Sequence, residues 1–155
     1  MNSLMQYTAL DISGQFLVGG VAAGVATLVM DRVMMQLPEG ETPPRVAAGI
    51  LTNKTPAAAS SRLAIFIHYT AAILTGPLFV WLRLSSEAIV GPTPVHILLA
   101  IAALYTGMVG FFIGIVLPRA DITSKRVHGI RRDWAISATS YVVVTVVIVW
   151  TALPN

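Results

Sequence analysis

Asp31 and His68 are the residues of this chain best suited to chemistry, because each is an ionisable group set in an apolar run. Asp31 closes a series with Gly20, Gly24 and Thr27, spaced 4, 3 and 4, which stacks all four on one helical face. His68 stands in a matching series, Ala64, His68, Ala71 and Thr75, with the same spacing. Counted inward from helix ends near Leu37 and Arg62, both residues lie roughly 9 Å inside a membrane boundary at helical rise. A charge at that depth is costly unless paired, so the sequence predicts an Asp31–His68 contact between consecutive antiparallel helices. Imidazole titrates near neutral pH, which makes such a pair the chemistry of a proton relay or ion site. The more economical expectation is structural: a polar clamp, or Asp31-Arg32 marking the membrane edge after a 19-residue core over 12–30.

Histidine has other uses in membrane helices, and the spacing disfavours them. A bis-histidine haem needs two ligands at one depth. His68 lies toward the inside and His96 near the outer start of the third apolar run, a difference of roughly 15–20 Å. Within one copy that excludes the haem, leaving only two His68 residues across a dimer. His128 falls in a polar loop, and the three histidines share no metal-ligand spacing. The chain has no cysteine, which excludes disulfides, thiolate metal sites and cysteine-ligated iron–sulfur clusters. There is no nucleophile elbow, phosphate-cradling loop, HExxH or pair of intramembrane aspartates. Seven acids, mostly in loops, give an intramembrane hydrolase little to work with. The expectation is a non-enzymatic protein with no metal and no cofactor.

The elements that must position these residues are long and apolar. Of 155 residues, 55% are hydrophobic and only 11% charged, with a mean hydropathy of +0.76. A soluble domain carries roughly a quarter of its residues charged, so lipid must solvate much of this one. Four runs reach the approximately 20 residues that a bilayer crossing needs: 12–37, 63–84, 95–117 and 134–153. They predict an all-α, single-domain, four-helix membrane bundle made of two helical hairpins. Thr55-Pro56 and Thr93-Pro94 read as N-cap and first helical residue of the second and third spans. Thr42-Pro43-Pro44 opens either a short interfacial helix over 45–52 or an irregular loop.

Charge orients the bundle. Nine of the ten Lys and Arg residues lie in the two connections between spans one and two and between spans three and four; only Arg83 lies elsewhere. Basic connections stay cytoplasmic, which places both termini outside a multi-pass cell-membrane protein. Trp81, Trp134 and Trp150 fall near predicted span ends, where indoles favour the interface. The net charge of +3 flanks apolar runs and forms no separate basic domain, so it points to anionic lipid headgroups and away from nucleic acid. The first 11 residues carry no basic residue, so the first span reads as retained, not as a cleaved signal.

Small residues predict how the spans meet. Gly20, Gly24 and Thr27 on the first span, and Gly107, Gly110 and Gly114 on the third, are expected helix contacts. Packing within one copy is preferred over a dimer face. Gly76-Pro77 should kink or open the second span, with Thr75 helping to satisfy freed carbonyls, and Pro118 should end the third. The two hairpins also resemble an internal duplication, although their glycines do not align without gaps.

The segment from Gly20 through Thr27 to Asp31, followed by Pro38 and Pro43-Pro44-Arg45, resembles the first helix of small prokaryotic, archaeal-type four-helix membrane proteins of a domain-of-unknown-function family. That resemblance covers the first third of the chain. It implies the same membrane class and carries over no activity and no functional residue. The expected function is therefore an accessory subunit or small oligomeric membrane component, acting as a homo-oligomer or with a membrane partner. The alternative is a small ion or proton transporter using Asp31 and His68.

Overall fold

A computed structural model describes residues 10–153; the first nine residues, with most of the N-terminal stretch that has no basic residue, and the last two lie outside the described residues. The described residues form five α-helices and no strand: α1 (Ile12–Met34), α2 (Thr42–Thr52), α3 (Ser61–Val90), α4 (Pro94–Phe111) and α5 (Ser124–Ala152). α1, α3, α5 and the segment Pro94–Arg119 containing α4 are long and apolar enough to cross a membrane. α1 packs against α3 and α5, and α4 packs against the same two, so the four stand in the ring order α1, α3, α4, α5. Ala22, Ala23, Ala26, Phe79 and Tyr141 fill the centre.

The spans are not those predicted, and local chemistry explains each difference. α1 stops at Met34, where tight bonds from Gln36 N to Val33 O and from Leu37 N to Met34 O turn the chain ahead of Pro38. α3 starts at Ser61, not after Thr55-Pro56. That pair forms a turn, closed by Ala58 N to Thr55 O at 3.0 Å, while Ser60 Oγ accepts from Leu63 N at 3.5 Å as the cap. At its far end α3 continues through 85–90, beyond the predicted end at 84. Nothing there breaks a helix until Gly91, which takes φ +79, and Pro92. Thr93-Pro94 does open α4, although the Thr93 side chain makes no capping bond.

Two further segments are more ordered than the sequence required. The helical alternative for the first basic connection holds: α2 packs against α3 at the end of the bundle where α1 and α3 are joined, beginning at Thr42 and ending on left-handed Asn53, φ 55. α5 begins at Ser124, ten residues before the predicted span, so 124–133 is helix and not loop. α4 gives way to a π-helical turn, Phe112–Val116, and a 3-10 turn, Leu117–Arg119. Pro118 thus ends the regular helix early, since its ring conflicts with the carbonyl one turn back.

Candidate functional site

Asp31 sits in the last turn of α1, and His68 lies two turns into α3. His68 Nε2 is 2.8 Å from Asp31 Oδ1, with side chains 10% and 26% exposed. The neighbouring Tyr69 hydroxyl donates to the other carboxylate oxygen, Oδ2. Its ring meets the imidazole edge-on at 5.5 Å. The sequence reading named the pair and missed Tyr69. A phenol beside a histidine carries no helical periodicity of its own. Only the position of Asp31 between their two faces joins them. The earlier end of α1 leaves Asp31 about 4.5 Å from the helix terminus, half the expected depth.

Cavities flank His68. One, of about 470 Å³, is bounded by Asp31, Met35, Glu41, Arg45, Ala64 and Tyr69 at the meeting of α1, α2 and α3. The other, of about 460 Å³, is an apolar groove between α3 and α4, with Ala71, Thr75, Leu78, Ala103, Gly107 and Phe111 among its walls. His68 and Pro44 line both. The carboxylate engages Nε2 of the imidazole.

A second polar cluster lies on the other side of the inner end. Asp133, fully buried in α5, accepts Glu39 N–H at 2.8 Å through Oδ2 and Arg132 Nε at 2.8 Å through Oδ1. Glu39 in turn binds Arg126 through two bonds of 2.8 and 2.6 Å and accepts the Thr42 hydroxyl at 2.6 Å. The Arg126 guanidinium holds the Glu39 carboxyl below its ordinary range, against the opposing effect of burial. This cluster ties the α1–α2 turn to the start of α5. Sequence patterning does not reveal it, because the predicted fourth span begins only at 134.

The glycines divide differently from the prediction. A Cβ built at Gly20, Gly24, Gly107, Gly110 or Gly114 meets nothing within 4 Å, so packing within one copy does not occur at these five. Thr27 of the same series is fully buried, with its hydroxyl bonded to Ala23 O at 2.7 Å. The close crossing uses Gly19 and Gly76 instead. A Cβ on Gly76 would stand 2.0 Å from Gly19 O, and one on Gly19 would stand 2.8 Å from Gly76 O. The buried stripe of α1 is Gly19, Ala22, Ala23 and Ala26, out of phase with the glycines that were counted.

α3 runs unbroken through Pro77. Thr75 bonds Ala71 O at 2.7 Å, not the Ile73 carbonyl that lacks a proline donor. Tyr141 of α5 donates to Ala72 O at 2.6 Å and pins α3 beside the crossing. Trp134 is half-buried against Phe112, ring centroids 4.8 Å apart, and bonds Met108 O at 3.3 Å. It is thus a packing residue between α4 and α5, not a free anchor at a span end. His96 is buried in the first turn of α4, at the opposite end of the bundle from His68. Among the described residues no cluster of three or more His, Asp or Glu is arranged for a metal.

No protein-family model matches this chain, and neither curated proteins nor solved structures give a significant match. The functional argument therefore rests on geometry.

Proposed function

We propose that this is a four-span integral membrane protein with both basic connections cytoplasmic, serving as a non-enzymatic membrane component. Its outward faces support the membrane reading: Leu17, Leu28, Phe66, Leu74 and Leu98 are each 60–72% exposed. A water-soluble monomer does not expose so continuous an apolar surface. The observation that carries the non-enzymatic reading is how the inner polar groups are engaged. Both oxygens of Asp31 are bonded, both oxygens of Asp133 are bonded, and Glu39 is held by Arg126 and Thr42. Such groups fasten helices together; they are not poised as nucleophiles or general bases.

The absence of native cysteine makes orientation directly measurable. In intact cells, a membrane-impermeant maleimide should label Thr93→Cys, and should label Ser124→Cys only after permeabilisation. The reverse pattern would sink the orientation. Recovery of the protein in the soluble fraction would sink the membrane reading itself.

A second reading, proton or ion transport, is favoured by one observation, the His68–Asp31 contact with cavities on either side of it. Proteoliposomes carrying a pH dye test it. Flux that is present in the wild type and lost in Asp31→Asn would establish transport, and absent or unchanged flux would remove it.

A further inference from the structure

We propose that the cavity at the meeting of α1, α2 and α3 seats the headgroup of one phosphatidylethanolamine-type lipid, its phosphate at Arg45 and its primary ammonium at Glu41 and Asp31. The proposal rests on the membrane reading above and on neither choice of activity.

α2 leaves two charges to this cavity. Glu41, the N-cap residue of α2, and Arg45 stand four residues apart, the spacing at which a Glu and an Arg on one helix ordinarily pair. Here they do not pair. No ion pair or side-chain hydrogen bond among the described residues uses either one, and both line the cavity. Separate charges of opposite sign on the wall of one space match a ligand that carries both signs. α1 supplies a third charge. Asp31 is held in place by His68 Nε2 at 2.8 Å and by the Tyr69 hydroxyl, one on each oxygen. A carboxylate has about four acceptor positions, so Asp31 can still accept from a ligand.

The balance of these charges selects the headgroup. Two carboxylates face one guanidinium, and Arg32 and Arg62, next along α1 and α3, are not among the walls. The cavity is therefore not positive, although the connections around it hold most of the basic residues. A net-anionic headgroup would satisfy Arg45 and leave Glu41 and Asp31 facing its phosphate. Phosphatidylcholine supplies a cation, but its trimethylammonium has no N–H to donate. Ethanolamine brings a phosphate for the guanidinium and an ammonium whose hydrogens the carboxylates accept.

The remaining walls suit a lipid better than a soluble zwitterion. Met35 and Ile65, 61% and 58% exposed, carry the lining onto the outward faces of α1 and α3, which acyl chains cover in the membrane reading. The space of about 470 Å³ falls within the range of small-ligand sites, about 300–1,000 Å³.

Native mass spectrometry tests the assignment. The full chain, stripped of lipid in detergent, is mixed with equal amounts of phosphatidylethanolamine, phosphatidylglycerol and phosphatidylcholine of distinguishable mass. One phosphatidylethanolamine per chain should be retained, preferred by at least about tenfold over either competitor. Arg45→Gln and Glu41→Gln should each weaken retention about tenfold, the effect of losing one charge-assisted hydrogen bond. Glu41→Lys should turn the preference to phosphatidylglycerol, a change of selectivity that loss of folding does not produce. Unchanged thermal midpoints in lipid-free detergent confirm that the variants fold.

Equal retention of the three lipids would overturn the proposal, as would a preference that survives all three substitutions. Wild-type preference for phosphatidylglycerol would overturn it in favour of the basic connections. Displacement of the bound lipid by glycerophosphoethanolamine at matched concentration would make the ligand a soluble zwitterion and remove the lipid assignment. Failure of the membrane reading is reported separately, by the maleimide pattern and by recovery in the soluble fraction.

Discussion

α3 meets α1 and α4 through the same kinds of residue, with opposite results. Toward α1, Gly76 lets the backbones close until a Cβ there would stand 2.0 Å from the Gly19 carbonyl. Toward α4, Ala71, Ala103 and Gly107 line an open groove of about 460 Å³. Small residues permit an approach; they do not compel one. The connection decides which occurs. α1 and α3 are joined through a long segment containing α2, so their crossing is free to settle where the glycines meet. α3 and α4 are tied by three residues at one end, and toward the other end Phe112 packs on Trp134 of α5.

The contrast is broken most directly at the crossing. Gly76→Ala should cost about 3 kcal/mol, at the upper end of overpacking penalties, because the obstacle is backbone and cannot rotate away. Gly107→Ala should cost nothing measurable. Thermal unfolding in detergent compares them, and equal midpoints would mean that the two sides of α3 do not differ.

The next largest effect is expected at the inner clamp. Asp133→Ala strands the buried Glu39 N–H and releases Arg132, a loss of about 2 kcal/mol. It should also free the α1–α2 turn, seen as faster amide exchange at 36–41. Loss of stability without faster exchange there would mean that Asp133 serves α5 alone.

These two sites also show why the sequence was legible in some places and opaque in others. Four apolar runs of bilayer length are a property of composition, so the number of long helices could be read directly. The Asp31–His68 contact survived although the depths differ, because both stand near helix ends and their side chains bridge a shift of a few residues. Helix phase was harder. Gly19 and Gly20 are adjacent, and only the burial of Ala22, Ala23 and Ala26 shows which one faces inward. The start of α5 was hidden because charge on 125–133 looks the same in a loop as on a helix. Its helical state follows from a partner, Glu39, that lies 94 residues from Asp133.

Acid sharpens the clamp further. Arg126 lowers the Glu39 carboxyl below its ordinary value of 4.5, so the group contributes stability above that value and loses it as pH falls through the lower, folded value. Neutral pH leaves the pair intact. Because Arg126 is more than half exposed, the contribution is only about 0.5 kcal/mol. Wild type should therefore lose slightly more stability than Glu39→Gln on acidification from pH 5 toward 3. Parallel pH curves would show that the ion pair adds nothing to the buried Asp133 contact.

An opposite sign of effect gives the finest test of what open glycines are for. Gly24 on α1 has nothing within 4 Å of a built Cβ, as Gly107 has on α4, yet it borders neither cavity. Gly24→Ala should gain up to about 1 kcal/mol from helix propensity alone. The same substitution at a surface between copies would instead wedge two backbones apart. Unfolding measured in dilute detergent and again in bilayers separates the cases. A gain in both media leaves Gly24 facing lipid. A gain in detergent that turns to a loss in bilayers makes that stripe of α1 a contact between copies, the use of small residues that a single chain cannot display.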